Sequence, residues 1–430
     1  MTVRRLFAIA GIFLGASAAW AILGTTLVAR SGEFDSRLER EVHALWGAPQ
    51  RQVSAAATLE RWVSETEVVE SRDAAGKVTR TETRKNVLRP LALTPESTRA
   101  AADVRLEHRQ KGLLWYATYD VRFQATYRFR NPDAEPRPMR LRLPLPEGQA
   151  LFDDVVIQVD GQPAGNTAPA GAELLASATA APGAVVTFTV GYRSRGVGTW
   201  TYAFGKEGVA QVRDFELVLT SNVHDVDFPV GSLSPNRREA AGAGSTMTWT
   251  FANLVTGQSI GLGLPDRLNP GPFAARVTFF APVSLLFFLA VMVMVGVTSG
   301  RSLHPMHYWF LSAAFFAFHL LLAYLVDHLR VAVAFAIAAA VSVFLVVSYL
   351  RLVTGMRRAV REAGTAQLVF LVLFSCAFFF EGMTGLAITI GAVLTLFVMM
   401  QMTARVSWDE VFAAGTVRRL AGEEAGDARR

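Results

Sequence analysis

The stretch VTFFAPVSLLFFLAVMVMVGVTSG, residues 277–300, decides the fold. It carries no charge and is flanked by Arg276 and Arg301. A hydrocarbon core of roughly 30 Å takes about 20 apolar residues to cross as a helix, so this stretch reads as a membrane span. Working outward, Leu6 to Val28, Tyr308 to Val326 and Val331 to Leu350 are comparable runs. From Ala363 to Ala404 the only charge is Glu381. That stretch is too long for one span and suits two, a short one from Gly364 to Phe380 and another after a turn at Glu381-Gly382. The expectation is six spans. The first has an Arg4-Arg5 start and a small-residue run at Ala16–Ala19, as a signal peptide would. Its apolar run continues through Ile22, Leu23, Leu27 and Val28, a length that fits a retained anchor better.

Composition agrees with a membrane protein. Hydrophobic residues make up 51% of the 430, charged residues 18%, and a single cysteine, Cys376, excludes an intrachain disulfide framework. The net charge of +6 invites a nucleic-acid reading, but its distribution argues against one. Segment 30–276 holds 29 basic and 28 acidic residues, so nearly all the excess lies with the spans and their flanks. Those bases orient the spans. With Arg4 and Arg5 in the cytoplasm, Arg301, then Arg351, Arg357, Arg358 and Arg361, and then the tail from Arg405 also fall inside. Residues 30–276 fall outside, in the periplasm, as do Asp327 to Arg330 and Glu381. Both termini are expected to be cytoplasmic.

The exported part begins with helical spacing at Phe34, Leu38, Val42 and Leu45, ending at Trp46-Gly47-Ala48-Pro49. Trp46 is placed either at the membrane interface or against the domain. From about residue 112 the pattern switches to strands. Trp115, Ala117, Tyr119, Val121, Phe123, Ala125, Tyr127 and Phe129 alternate with more polar residues, the period-two signature of a strand with one buried face. Met139 to Leu145 repeats it. Val155 to Val159 runs into Asp160-Gly161, a tight-hairpin signal. Val185 to Tyr192 and Thr199 to Phe204 are expected to form another hairpin, and Phe215 to Thr220 and Thr246 to Phe251 are further strands. Residues 162–184, rich in Ala, Gly and Pro, read as a loop. The expected fold is a six-helix membrane bundle plus a large, mostly β, sandwich-like periplasmic domain. The divisions are an anchor at 1–29, a periplasmic domain at 30–273, a five-helix bundle at 274–404 and a cytoplasmic tail at 405–430. Asn269-Pro270-Gly271-Pro272 is expected to break any helix ahead of the second span.

The chain lacks the common motifs of nucleotide use, zinc proteolysis and serine hydrolysis. No enzyme, cofactor or metal is expected. Ionisable residues at membrane depth are the functional candidates. His319 sits mid-span, and Asp327, His328, Arg330 and Glu381 fall near the outer face, where they can form one polar cluster. The bland alternative for His319 is a neutral ring bonded within the bundle, and for the cluster an ion-pair network. His304 and His307 have the spacing of a metal pair, but Pro305 between them makes a helix start the better reading. Gly382, Gly385 and Gly391 are expected to let the last two helices approach closely. The polar stretch Ser221 to Asp227 reads as a loop.

Several words in this layout form a pattern. They are Leu45-Trp46-Gly47-Ala48-Pro49-Gln50, Leu93-Thr94-Pro95-Glu96 ahead of Arg109-Gln110-Lys111-Gly112, Leu303-His304-Pro305-Met306-His307-Tyr308, and Asp327-His328 followed by Val333 to Ala340. With these the chain resembles the CreD family of bacterial inner-membrane proteins, as a divergent branch. The resemblance is best in the bundle and fades in the exported domain after about residue 135. It implies an anchor, a large periplasmic domain and a C-terminal bundle, with a role in cell-envelope integrity and stress tolerance. It carries over no catalytic residue. The resulting expectation is a non-catalytic protein of the inner membrane that maintains or monitors the envelope through its β domain. Its partners would be the bilayer and an envelope protein or lipid, not nucleic acid. The rival reading is a transporter or lipid-handling protein using His319 and the outer cluster.

Overall fold

The computed structural model describes residues 3–72, 78–112, 114–147, 151–164, 173–206, 208–299, 303–380, 382–404 and 406. It divides into two compact units, one of residues 1–37, 112–114 and 268–430, the other of residues 38–111 and 115–267.

Six helices in the described residues are long and apolar enough to cross a membrane: α1 (Val3–Trp46), α2 (Pro270–Thr298), α3 (Pro305–Leu325), α4 (Val331–Thr354), α5 (Met356–Phe379) and α6 (Thr384–Thr403). Each apolar run read from the sequence lies in one of them. α1 does not stop at the end of its apolar run but continues to Trp46, where Gly47 takes a φ of +90° and its N–H closes on the His43 carbonyl. Asn269-Pro270-Gly271-Pro272 does not break the chain ahead of α2. Asn269 is the N-cap and Pro270 opens the first turn, where a missing N–H costs nothing. α3 likewise opens at Pro305, with His304 Nδ1 accepting from the Met306 N–H.

The bundle's core is dense in aromatics: Trp20, Phe273, Phe288, Phe315 and Phe318 are fully buried. Gly24 lies so close to the Phe279 ring that a Cβ there would come within 2.8 Å of it. The expected close approach at Gly385 and Gly391 is not found, because nothing lies within 4 Å of either position. Most of α6 is exposed in this chain, as a lipid-facing helix would be. α5 contains two π-helical turns, Ala359–Gly364 and Leu368–Leu373.

The second unit is β. Its strands are β1 (Gln50–Val53), β2 (Ala56–Arg72), β3 (Val78–Leu93), β4 (Ser97–Lys111), β5 (Leu114–Arg130), β6 (Arg137–Pro144), β7 (Phe152–Val159), β8 (Gln162–Pro163), β9 (Glu173–Ala180), β10 (Val185–Val197), β11 (Thr199–Ala203), β12 (Ala210–Ser221), β13 (Arg237–Ala241), β14 (Gly244–Thr256) and β15 (Ile260–Gly263). They form three sheets, ordered β13-β14-β12-β4-β5-β10-β7-β8, β3-β2-β6-β9 and β1-β11-β15. One face of the eight-stranded sheet is the core face. On β5 every second residue from Ala117 to Phe129 is buried, and the register sets Tyr127 opposite Phe188, Ala125 opposite Val190 and Phe123 opposite Tyr192. β12 adds Leu217 and Leu219, opposite Ala100 and Ala102 of the parallel strand β4. Residues of both smaller sheets share this core: Trp200 and Tyr202 of β11 lie 6.2 and 6.3 Å from the Phe123 ring, and Met139, Leu141 and Leu143 of β6 join the same cluster. Burying each large apolar side chain contributes roughly 1.5–3 kcal/mol.

Asp160 and Gly161 take φ of +50° and +78° and join β7 to β8, the tight hairpin their sequence specifies. Three expectations are corrected. Strands begin at Gln50, not near residue 112. β10 and β11 are not a hairpin: the chain turns at Gly198, with φ +73°, and β11 leaves for a different sheet, parallel to β1 and antiparallel to β15. The Ala-rich stretch 162–184 is not all loop, for Glu173–Ala180 pairs along the whole of β6 and buries Leu174 and Ala176.

Candidate functional site

Of the membrane candidates, Asp327, His328 and Arg330 share the connection between α3 and α4, and His319 lies within α3. His319 is buried on α3, with Nδ1 bonded to the Phe315 carbonyl at 3.1 Å and the Trp20 ring edge-on at 5.4 Å. Among the described residues its Nε2 has no partner, nor do the buried Trp20 Nε1 and Ser312 Oγ. Asp327 pairs with Arg30 of α1 rather than with its sequence neighbours, at 3.0 Å. His328 lies in the turn after α3, and Arg330 serves as N-cap backbone for α4. Glu381 lies outside the described residues. Deeper in the bundle, Gln367 Nε2 donates to Ser342 Oγ at 2.8 Å, and Ser342 Oγ donates to the Ala314 carbonyl at 2.7 Å, tying α3, α4 and α5 together. His307 Nδ1 meets Tyr349 Oη at 2.7 Å. Among the described residues no group of three or more His, Cys, Asp and Glu is placed to hold a metal ion.

The β unit holds a concavity that the sequence did not announce. It lies on the solvent face of the eight-stranded sheet and has a volume of about 300 Å³. Its walls carry Arg105 and Arg109 of β4, Arg122 of β5, and Arg193 and Arg195 of β10, with Asp103, Glu107 and Asp120 among them. The reason these meet is alternation: the residues between the buried ones on β4, β5 and β10 all face outward. A shallower hollow of about 530 Å³ continues from it across Arg122, Arg193 and Gly191.

Trp46 closes one end. The Arg109 guanidinium lies 3.6 Å from its ring centre and that of Arg195 5.9 Å. Of its two sequence readings, Trp46 thus packs within the β unit. Gly47 beside it needs its missing side chain twice over, for its positive φ and because a Cβ would sit 2.5 Å from the Arg195 carbonyl. Gln50 next in line is buried, and its Nε2 donates to Ser194 Oγ and the Arg195 carbonyl, both at 2.7 Å, so the β10 backbone is pinned beneath the cavity. Arg109 pairs with Glu107 at 2.7 Å and Arg105 with Asp103 at 3.0 Å. Arg193 Nε and Nη2 grip Asp120 at 2.9 Å, which holds the Arg193 guanidinium still more firmly protonated. Asn222, in the stretch read as a loop, bonds both N–H and carbonyl of Leu106 and so extends the edge of β4.

A family model described as Inner membrane protein CreD matches residues 258–409, which take in β15 and α2 to α6. No curated protein matches the chain. Among solved structures, a candidate nutrient binding protein from Legionella pneumophila is similar at 12% identity and a TM-score of 0.28, over 47% of this chain and 77% of that one. An M1 zinc metallopeptidase from Deinococcus radiodurans is similar at 12% identity and a TM-score of 0.25, over 70% of this chain and 94% of that one. Scores this low carry no argument about fold or activity.

Proposed function

We propose, from the match of residues 258–409 to the family described as Inner membrane protein CreD, that this is a non-catalytic protein of that family that maintains or monitors the cell envelope through its β unit. In this reading the β unit lies in the periplasm and both termini in the cytoplasm. The bases of the short connections, among them Arg4, Arg5, Arg351, Arg357, Arg358 and Arg361, then fall on the cytoplasmic side.

The observation that carries the reading is the arginine-walled cavity. Its eight charged side chains stand at outward-facing positions of β4, β5 and β10 rather than in the core. A rigid sheet presenting a polar concavity suits recognition. The test is rescue of a deletion strain under detergent and bacteriocin stress, with membrane levels of each variant measured. Arg122→Glu combined with Arg195→Glu should abolish rescue at normal protein level. His319→Leu combined with Asp327→Asn and Glu381→Gln should leave it intact.

A second reading, transport or lipid handling by the bundle, is favoured by one observation. Trp20 Nε1, Ser312 Oγ and His319 Nε2 are buried among the helices without hydrogen-bond partners among the described residues, and such groups are costly unless used. The opposite rescue pattern would favour it.

A further inference from the structure

We propose that the arginine-walled cavity of the β unit binds a dianionic phosphate group, carried either by a free phosphomonoester or by a lipid headgroup. This names the ligand class of the site on which the envelope reading rests.

The argument starts from register. Arg122 of β5 stands directly opposite Arg193 of β10 on the solvent face. Like charges in that relation repel, and sheets ordinarily avoid them. Asp120 does not relieve the repulsion. Its carboxylate is already gripped by Arg193 through Nε and Nη2, and Arg195 Nε stands 3.8 Å from it as well. Asp120 thus serves two arginines, Asp153 of β7 stands opposite Arg193 as well, and Arg122 is left with no ion pair or side-chain hydrogen bond among the described residues. The cavity wall as a whole holds five arginines, Arg105, Arg109, Arg122, Arg193 and Arg195, against three acids, Asp103, Glu107 and Asp120. Within this wall the excess is two positive charges, and the adjoining hollow adds one further acid, Asp154.

That excess selects the ligand. A carboxylate supplies one negative charge, whereas a phosphate monoester carries about −1.5 to −2 at neutral pH. Guanidinium forks match phosphate oxygens two at a time, which a lysine-lined site would not do. All of the forks but that of Arg122 are also held in place before any ligand arrives. Trp46 supports Arg109 and Arg195, Glu107 and Asp103 orient Arg109 and Arg105, and Gln50 pins the backbone at Arg195. Of the five, Arg122 alone keeps most of its side-chain freedom to lose on binding. A cavity of about 300 Å³ is at the small end of ligand sites, enough for the phosphate and the first atoms of what it is attached to. The adjoining hollow past Gly191 leaves the remainder room to extend.

The test uses the full chain in detergent, titrated with sodium phosphate in a calorimeter at neutral pH and constant ionic strength. Saturable binding at one site is expected. Arg122→Gln should weaken it by about tenfold or more, as loss of a charge-assisted fork does. Arg128→Gln, on the same face of the same strand but outside the cavity, should change it by less than about twofold. Arg122 is exposed and unpaired, so its variant should unfold at the wild-type temperature. Absence of saturable phosphate binding would overturn the proposal. So would equal losses in the two variants, which would mean a diffuse counterion effect. Glycerol 3-phosphate and nanodiscs containing phosphatidic acid then divide the sources: competition by the first points to a soluble phosphomonoester, competition by the second alone to a headgroup. If phosphate does not bind but cavity variants still lose rescue, the ligand class is wrong and the envelope reading stands. If phosphate binds and rescue ignores the cavity, the site stands and the envelope reading falls.

Discussion

Arg30 of α1 and Asp327, just past α3, form an ion pair with Nη2 and Oδ2 3.0 Å apart. The same Nη2 donates to the Ala323 carbonyl at 3.0 Å, and the guanidinium lies 5.4 Å from the Tyr324 ring centre. Both side chains are more than a third exposed, so solvent screens the pair. A double-mutant cycle with Arg30→Ala and Asp327→Ala, followed by denaturant unfolding in detergent, should give a coupling of about 0.2–1 kcal/mol. Arg30→Ala alone should cost more than Asp327→Ala, because it also loses the carbonyl and the ring. Equal single-variant losses would refute this division.

A second prediction concerns the polar thread of Gln367, Ser342 and Ala314. Ser342 is fully buried, and Ser342→Ala would strip the Gln367 amide of its partner. The expected loss is ~1 kcal/mol, typical of hydrogen bonds between membrane helices. Ser342→Thr, which keeps the hydroxyl, should lose less if the added methyl is accommodated. Thermal unfolding in detergent would register both, and a neutral Ser342→Ala would show that the thread adds nothing.

The β unit should be sensitive to alkali. Burial pushes Tyr119, Tyr127 and Tyr192 well up, and raises Tyr202 to about 12 from an ordinary value of 10. A raised folded pKa favours the protonated native form. Its contribution is therefore complete below pH 10 and is lost as pH rises from about 10 toward 12. Denaturation midpoints followed by near-ultraviolet circular dichroism should fall steeply in that window. Phenolate absorbance from Tyr119, Tyr127, Tyr192 and Tyr202 should appear only as the fold is lost. Ready ionisation of all tyrosines in the native protein would contradict the burial.

Orientation can be checked at Val230, which is fully exposed in the turn before Gly231. In a Cys376→Ser background, Val230→Cys should react with a membrane-impermeant maleimide on intact spheroplasts. Labelling only after lysis would place the β unit in the cytoplasm and invert the topology.

The parts of the fold legible in the sequence are those in which one residue pattern answers to one physical demand. Apolar runs of bilayer length could be little else than spans, and the alternation from Trp115 to Phe129 had to be a half-buried strand. Asp160-Gly161 marked its turn because both positions need positive φ. Residues 50–111 hid their strands. β4 buries Ala100 and Ala102, too small to stand out, and much of β2 and β3 is charged and exposed. Glu173–Ala180 was obscured in the same way by alanines. The hairpin assigned to Val185–Phe204 failed because a glycine turn fixes a change of direction and not the partner that follows. Site residues were the least legible. His319 is buried as its position suggested, but Asp327 found Arg30, a partner nearly three hundred residues away. Trp46, Arg109 and Arg195 were visible one by one. Only strand register brings them together, and register between distant strands leaves no local signal.

β2 and β3 pair without interruption from Ala57 opposite Leu93 to Arg72 opposite Val78, while β6 accompanies β2 only as far as Leu59. From Glu60 outward the two strands run alone as a ribbon. At about 3.3 Å per residue that ribbon reaches roughly 40 Å, and none of its described side chains beyond Glu60 and Pro90 belongs to the domain's core. Its length is therefore decoupled from the stability of everything else. Residue pairs can be added or removed there without repacking a single buried side chain, and each pair changes the reach by one fixed step. The hairpin is in effect a gauge, able to be lengthened or shortened over evolution to suit a distance that the rest of the protein has no means of adjusting.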